Sequence, residues 1–397
     1  MRKILNIIGG GMGRADLYSG ESLDLIKSSE KVLTTSRIGE KLFGISGNIR
    51  VMNISEIVEE LDADYRDTTV IVSGDCGFYS LSGMLQNKFA DRYEIKNHSG
   101  TNSLQYLTSK LGKSYHDVMV VSLHGRSGGA VSAVTYNQKV FLLTDNKNNV
   151  TTVLENLKRS GMDNLIISVG ENLSDDSEKI ITGDIDMLIS KKFGDLAVMY
   201  IENPNFTDRN VRLRDSEFVR GKVPMTKESV RVLSVNRLEI KPDDVVFDIG
   251  AGTGSVSVAM AYKCHNGTVY AVEKNPDAVD LLRQNRIKFG AYNMDIIVGM
   301  APDCLDGLPI PNRAFIGGSS GNLDEILAWL IRKNPNILVC INVITLENLN
   351  ECLRNMEKYG FSDLDISCMN CANSEKVGRY NMMKAENPIY IISGRRR

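Results

Sequence analysis

Three glycines at alternate positions follow one carboxylate in Asp248-Ile249-Gly250-Ala251-Gly252-Thr253-Gly254, and this spacing can do chemistry. The motif ends an apolar run at 245–247 and opens a stretch with helical spacing from Ser255. Glycines let a backbone turn sharply and approach a ligand closely. The next apolar run, 268–272, ends in Glu273, whose two oxygens can accept hydrogen bonds from the hydroxyls of a ribose. Strand, loop, helix, second strand and terminal acid in that order describe a nucleoside site at the carboxyl ends of a doubly wound sheet. A tight strand-to-helix turn followed by a surface glutamate is the plain alternative.

Two nucleosides compete for this loop. Dinucleotide loops run Gly-x-Gly-x-x-Gly, whereas the spacing here is Asp-x-Gly-x-Gly-x-Gly. Asp248 is expected to aim an anion into the crevice where a pyrophosphate would otherwise sit. A carboxylate there suits a ligand with a positive amino group, such as S-adenosylmethionine. After the third strand, Gly299-Met300-Ala301-Pro302-Asp303 falls where the adenine edge is expected; a plain strand-end turn is the alternative. A second glycine loop, Gly9-Gly10-Gly11-Met12-Gly13, fails the dinucleotide pattern. The sixth position from Gly9 is Arg14 and from Gly11 is Asp16, and the following strand ends at Thr34 and Thr35 with no ribose-binding acid.

The elements that must position these loops alternate along nearly the whole chain. Strand-like runs at 4–8, 31–35, 69–73, 119–122, 140–143, 164–169 and 196–201 alternate with helical spacing at 54–62, 103–111 and 150–160. The rhythm stops near residue 204, where a polar linker carries Arg209, Arg212, Arg214, Arg220 and Lys222. It resumes with a helix that Thr226 is expected to cap, with Glu228 in its first turn. Seven strand-like runs follow, at 244–249, 268–273, 295–298, 314–317, 336–344, 363–369 and 388–393. The expectation is an α/β protein with mainly parallel sheets, in two domains, 1–204 and 205–397. The second has a seven-stranded Rossmann-like sheet ending in an antiparallel hairpin.

Bulk properties narrow the function classes. The chain has 397 residues, 42% of them hydrophobic, and a net charge of -2. No global field favours nucleic acid or a membrane surface, and no apolar run is long enough to span a bilayer. Seven scattered cysteines suit a reducing cytoplasm with free thiols. Cys368 and Cys371 form a lone CxxC with no second pair, so no metal site is expected. The stretch 209–237 is locally basic, with eight basic residues against three acids. Part of it, Arg220, Lys222 and Lys227 in particular, is expected to dock substrate carboxylates; a solvated linker and helix face is the alternative.

The motifs resemble two known families. Met225-Thr226-Lys227-Glu228-Ser229-Val230-Arg231, the loop at 248–254 and Gly317-Gly318-Ser319-Ser320-Gly321 resemble the decarboxylating precorrin-6B C-15 methyltransferases of cobalamin biosynthesis, over roughly residues 205–397. That resemblance implies that Thr226, Gly250 to Gly254, Glu273 and Ala301 carry S-adenosylmethionine, with Asp248 beside them. The first half is similar to the precorrin-7 C-5 methyltransferase branch of the tetrapyrrole methylases, and its fold is then the two-lobed one of that family. The motifs are Gly9 to Gly13, Gly74-Asp75-Cys76-Gly77-Phe78-Tyr79-Ser80, Gly100-Thr101-Asn102-Ser103 and Ser122-Leu123-His124-Gly125-Arg126. Gly9, Gly11, Gly13, Asp75 and Ser103 are then the second set of cofactor residues, and Arg126 a substrate contact. Met12 and Cys76 stand where that family usually has proline. Taken alone, His124 reads as a turn histidine, Asp75 as a cap for a helix after Gly77, and Arg126 as a solvated charge.

The resemblance implies a bifunctional methyltransferase acting on a (cobalt-)precorrin at C-5 and C-15, with loss of carbon dioxide from the ring-C acetate. The macrocycle itself supplies the nucleophilic carbon and the electron sink, so no dedicated catalytic residue is named. A homo-oligomer without nucleic-acid or membrane partners is expected. A methyltransferase of RNA or protein, or a scaffold with only the C-terminal domain active, remains open at this point.

Overall fold

The computed structural model describes residues 2–42, 44–124 and 129–396. In chain order the elements are β1 (Lys3–Gly9), α1 (Gly20–Ser28), β2 (Val32–Thr34), α2 (Ser36–Leu42), β3 (Ile49–Val51), α3 (Ile54–Ala63), β4 (Thr68–Val72), α4 (Ser82–Phe89), β5 (Tyr93–His98) and α5 (Ser103–Leu111). They continue with β6 (Met119–Ser122), α6 (Ala130–Tyr136), β7 (Lys139–Leu143), α7 (Val150–Arg159), β8 (Ile166–Glu171), β9 (Lys179–Gly183), α8 (Ile185–Ile189) and β10 (Ala197–Glu202). The rest are α9 (Glu228–Arg237), β11 (Val245–Ile249), α10 (Ser255–Lys263), β12 (Thr268–Glu273), α11 (Pro276–Lys288), β13 (Met294–Val298), β14 (Arg313–Ile316), α12 (Leu323–Lys333), β15 (Leu338–Val343), α13 (Leu346–Lys358), β16 (Phe361–Met369), β17 (Ala372–Val377), β18 (Tyr380–Ala385) and β19 (Ile389–Arg396).

These elements form two compact units. One comprises Met1–Gly125, Lys139–Glu155 and Leu165–Glu202; the other comprises Arg126–Gln138, Asn156–Asn164 and Asn203–Arg397.

The first unit has two lobes. Its first sheet has the order β3-β2-β4-β1-β5 and is parallel throughout. β4 is buried along its whole length and reads as an unbroken β-rich run for that reason. The second sheet, β6-β7-β10-β8-β9, is parallel only between β6 and β7. This corrects the expectation of mainly parallel pairing for the second lobe. β8 and β9 form an antiparallel pair, and β10 runs back between β7 and β8. Three strands were not expected from the sequence. β3 is only three residues long, and β5 and β9 carry exposed polar residues on a sheet edge. Helix starts are explicit: Asn53 with Glu56, and Asn102 with Gln105, form reciprocal capping boxes.

The second unit is built on a seven-stranded sheet, β13-β12-β11-β14-β15-β19-β16, parallel from β13 to β15 and antiparallel across β19. Strand order reverses between β11 and β14, and ligands bind doubly wound sheets at such a point. Cores lie on both faces. One packs α9 and α10 residues such as Val235, Val258 and Met260, and the other packs α12 and α13 residues such as Leu327, Leu330 and Cys352. An additional exposed hairpin, β17–β18, was not expected. Helix α6 also belongs to this unit. Tyr136 donates to Asn293 Oδ1 at 2.6 Å and to Ala261 O at 3.1 Å, and Ser132 donates to Gly267 O at 2.9 Å.

The start of α9 differs from the expectation. Lys227, not Thr226, is the N-cap residue, and its side chain makes no capping bond. Asp215 takes that role from outside the helix, its Oδ2 accepting from the Glu228 N–H at 3.1 Å. A carboxylate can satisfy an orphan helix N–H wherever the fold brings it.

Candidate functional site

The glycine loop of the second unit follows β11 and is held by three neighbours. Gly250 and Ala251 donate to Val272 O, each at 3.0 Å, which fixes the loop to the end of β12. Gly317 donates to Ile249 O at 2.9 Å, which fixes the Gly317–Gly321 segment beside it. Gly250 has φ +77, and a Cβ there would lie 2.6 Å from Gly318 O. Only glycine fits this crossing of two backbones.

Glu273 is the connecting acid. Its Oε2 accepts from the Gly252 N–H at 2.8 Å, and its Oε1 accepts from the Lys274 and Asn275 N–H groups at 2.9 and 2.8 Å. Each carboxylate oxygen has two acceptor sites; both on Oε1 are taken, and one on Oε2 is left for a ribose hydroxyl. Gly299 donates to Glu273 O at 3.0 Å, bringing the 299–303 segment to the same point. Ala301 is buried there, and its carbonyl accepts from Asn322 Nδ2 at 3.3 Å.

Asp248 departs from its expected setting. Its side chain is 0% exposed, so it does not stand open in the crevice. Oδ2 accepts from the Ser257 hydroxyl on α10, while Oδ1 is buried without a hydrogen-bond partner. Burial pushes its pKa up to about 7; the Ser257 hydrogen bond opposes that rise and the nearby Glu273 charge adds to it. A buried carboxylate oxygen lacking a donor fits a ligand that brings a cation. The cradle of three left-handed glycines and Glu273 fits a nucleoside, so the donor set suits S-adenosylmethionine. Thr253 is buried behind the loop, and its carbonyl accepts from Asn285 Nδ2 at 2.8 Å. Gly254, with φ +80, starts α10 against Leu282.

The segment before α9 forms a strap beside this loop. A Cβ on Gly252 would lie 3.5 Å from Pro224 O. Thr226 O accepts from Arg231 Nη1 at 3.0 Å and from Ser255 Oγ at 3.3 Å. Arg231 is 1% exposed; it also bonds Asp215 Oδ1 and Leu213 O, and its guanidinium lies over the Phe218 ring. Arg237 is likewise taken, by Asp365, Ser367 and Ile391 O. Two of the eight basic residues of the 209–237 stretch, part of which was expected to dock substrate carboxylates, therefore hold the fold instead. Arg220 is exposed but donates to Asp215 O, while the ammonium groups of Lys222 and Lys227 make no hydrogen bond or ion pair among the described residues.

In the first unit the two glycine loops meet directly. Gly11 N–H donates to Gly74 O at 3.0 Å and Gly74 N–H to Gly11 O at 2.7 Å, an isolated antiparallel bridge. Gly9 passes so close to Gly100 that a Cβ on Gly9 would lie 2.7 Å from Gly100 N. Gly13, with φ +102, closes the turn onto Gly10 O. Asp75 does not cap a helix after Gly77, because the next helix starts at Ser82. It ties loops together: Oδ1 accepts from the Gly77 N–H at 2.8 Å and Oδ2 from the Gly100 N–H at 3.0 Å. Cys76 donates its thiol to Ile7 O and His98 O, and Met12 is buried, so both positions are held without proline. Gly11, Met12, Gly74, Ser103 and His124 line a cavity of about 650 Å³ whose far wall comes from the second lobe, at 143–147 and 195–198. Gly9, Gly13 and Asp75 are not among the residues that line it. Arg126 lies outside the described residues.

Comparisons with known proteins bear on both units. Residues 217–396 match the model of the precorrin methyltransferase domain. The chain is 40% identical over 191 residues to a probable cobalt-precorrin-6B C(15)-methyltransferase (decarboxylating) of Saccharolobus solfataricus, a match covering 47% of this chain and 92% of the relative. The chain belongs to the precorrin methyltransferase family. The Salmonella typhimurium cobalt-precorrin-6B C(15)-methyltransferase (decarboxylating) is 34% identical over 183 residues, covering 46% of this chain and 94% of the relative. Residues 5–189 match the tetrapyrrole (corrin/porphyrin) methylases, so a tetrapyrrole methylase domain precedes the precorrin methyltransferase domain. A solved structure, a precorrin-6Y C5,15-methyltransferase from Geobacter metallireducens, is 35% identical, with a TM-score of 0.44, over 46% of this chain and 97% of that one. Methyltransferases of these families depend on S-adenosylmethionine. Among the described residues no helix is long and apolar enough to cross a membrane.

Three positioning residues escaped sequence reasoning. Ser257 is an unremarked helix serine until the fold sets it against Asp248. Asn285, buried on α11, accepts from the Val219 N–H and donates to both Val219 O and Thr253 O, clipping the strap to the glycine loop. Asp215 sits in a charged stretch with no pattern to distinguish it. Arg231 belongs to the Met225–Arg231 motif, and that was the one available signal.

Proposed function

We propose that the chain methylates a (cobalt-)precorrin twice. Residues 205–397 would act at C-15 and remove carbon dioxide from the ring-C acetate, and residues 1–204 would act at C-5. The observation that carries this reading is a separate ligand cradle in each unit: the Gly250–Glu273–Gly318 crossing in one and the Gly11–Gly74 bridge beside a cavity in the other.

When bound, S-adenosylmethionine supplies a sulfonium methyl group to a carbon nucleophile. In the second unit Glu273 takes the ribose hydroxyls, the backbone of Gly250 to Gly254 lies against the nucleoside, and Ala301 borders the adenine. Asp248 lends its charge from its buried position behind the loop, and Thr226 closes the strap side. In the first unit Gly9, Gly11, Gly13, Asp75 and Ser103 do the corresponding work. Arg220, Lys222 and Lys227 receive substrate carboxylates. The protein's contribution is alignment, since reacting atoms held in line about 3–3.5 Å apart gain most of what a bimolecular reaction loses. The chain works in the cytoplasm as a homo-oligomer without nucleic-acid partners.

The test is incubation of the purified chain with S-adenosylmethionine and each precorrin precursor, metal-free or cobalt-bearing, followed by mass spectrometry. The expected product has gained two methyl groups and lost one carbon dioxide. A product with one methyl gain and the carbon dioxide loss would leave the first unit without its proposed activity.

A further inference from the structure

The carboxyl end of the parallel strands, where the second cofactor cradle lies, carries two large apolar side chains in solvent. Ile344, directly after β15, is 58% exposed, and Leu346, at the start of α13, is 67% exposed. Neither belongs to the cores on the two faces of the sheet. Single exposed apolar residues are ordinary on protein surfaces; their place in the fold sets these two apart.

β14 and β15 pair in parallel, with Ile316 opposite Ile341. Ile344 follows the end of β15, and the Gly317–Gly321 segment, whose Gly318 touches Gly250, follows the end of β14 beside it. Side chains alternate along a strand. Cys340 and Asn342 face α9, the first within the core on that side and the second bonded to Ser234 at 3.0 Å. Ile344 therefore sits on the same face, one step beyond them. Helix α9 runs antiparallel to β15. Its last turn lies by the strand's beginning, where Arg313, the partner of Leu338, donates to Leu238 O at 2.7 Å. Its first turn therefore stands at the strand's end, near Ile344. Lys227 caps that turn with its ammonium unpaired among the described residues, and Thr226 beside it reaches Ser255 at the mouth of the glycine loop.

We infer that Ile344 and Leu346 are the platform on which the flat apolar face of the tetrapyrrole lies in the second unit, with the Lys227 ammonium taking one of its peripheral carboxylates. The inference rests on the function proposed above and adds the residues that would select the substrate. An apolar pair next to an unpaired cation complements a ligand that is apolar across its face and anionic at its rim. The platform lies on the β14–β15 side of the crossing, away from Glu273, so the macrocycle and the nucleoside occupy separate halves of the crevice.

The experiment uses the full-length chain with Ile344→Ser and Leu346→Ser, singly and together. Both positions are exposed, so melting temperature should hold at the wild-type value. At saturating S-adenosylmethionine, the KM for the precorrin in the C-15 reaction should rise about tenfold in the double variant. The calorimetric Kd for S-adenosylmethionine should not move, and Ile344→Leu with Leu346→Met should restore KM. Binding is also read directly by Soret absorbance with uroporphyrin, a planar octacarboxylate, where the double variant should bind about tenfold more weakly. An unchanged KM and an unchanged uroporphyrin Kd would overturn the platform. So would a fall in the mass measured by light scattering, which would give the surface to a second copy of the chain. If the wild type methylates no precorrin yet binds uroporphyrin through these residues, the proposed activity fails and the platform stands.

Discussion

Arg231 Nη1 lies 3.0 Å from Asp215 Oδ1 across sixteen residues of chain, and the pair holds the strap beside the glycine loop. The same guanidinium reaches Thr226 O and Leu213 O, and the same carboxylate reaches the Glu228 N–H. Removing one partner of a buried pair costs about 3–5 kcal/mol, because the other charge is left stranded. Arg231→Met should therefore lower the unfolding free energy of the second unit by about that much. Asp215→Asn keeps the shape and an acceptor oxygen but strands the Arg231 guanidinium, the more deeply buried of the two charges, so it should cost about as much. Urea denaturation followed by circular dichroism reads both.

Glu273→Ala removes the acceptor of three backbone N–H groups as well as the ribose contact. Hydrogen bonds to a charged group contribute about 1.5–3 kcal/mol, so S-adenosylmethionine should bind the second site about ten- to a hundredfold more weakly. Calorimetry on the wild type should resolve two cofactor equivalents per chain. Only one should weaken in the variant, and an equal loss at both sites would contradict the assignment.

Asp248 gives the second unit a pH signature. Its folded pKa is raised from 3.8 to about 7, so the folded state holds a proton that the unfolded state releases. Stability then falls as pH rises from about 4 to about 7, by about 4 kcal/mol, and is level above that range. The difference between wild type and Asp248→Asn, measured by urea denaturation at several pH values, should follow this slope. A cationic ligand prefers the ionised carboxylate, so S-adenosylmethionine affinity should rise over the same window in the wild type and stay flatter in the variant.

Gly250→Ala places a methyl group 2.6 Å from Gly318 O at φ +77. The left-handed backbone alone costs an L-residue about 1–2 kcal/mol, and neither backbone can yield without moving the cofactor cradle. Cofactor binding at the second site should be lost while the first site keeps its affinity, again by calorimetry.

Tyr136→Phe deletes a hydroxyl that bonds Asn293 and Ala261 O in the buried core of the second unit. The Asn293 carbonyl oxygen loses its donor, and the expected cost is about 1–3 kcal/mol. The melting transition of the second unit should shift down and that of the first should not.

The α/β architecture was legible because each layer leaves a periodic trace. All seven strands of the second sheet could be read from apolar runs, and α5 from its helical spacing at 103–111. The hairpin β17–β18 was not legible: every residue in it is exposed, so no buried face imprints an alternation. The antiparallel return of β10 was hidden because strand direction depends on pairing, which a single run of residues does not encode. In the candidate sites, glycines and terminal acids stood out because their spacing is local. Ser257 facing Asp248, Asn285 facing Val219, and Asp215 facing Arg231 are contacts made by tertiary packing, and none leaves a local pattern.

Helix α6 also sets an order of events during synthesis. Tyr136 leaves the ribosome 157 residues ahead of Asn293, the side chain that receives its hydroxyl. At about 5–20 residues per second, that interval lasts roughly 8–30 s. Throughout it β6 and β7 can pair on either side of the helix, while the helix's apolar face waits for a partner not yet made. The nascent chain thus carries the apolar residues of 130–136 without their packing partner over that interval.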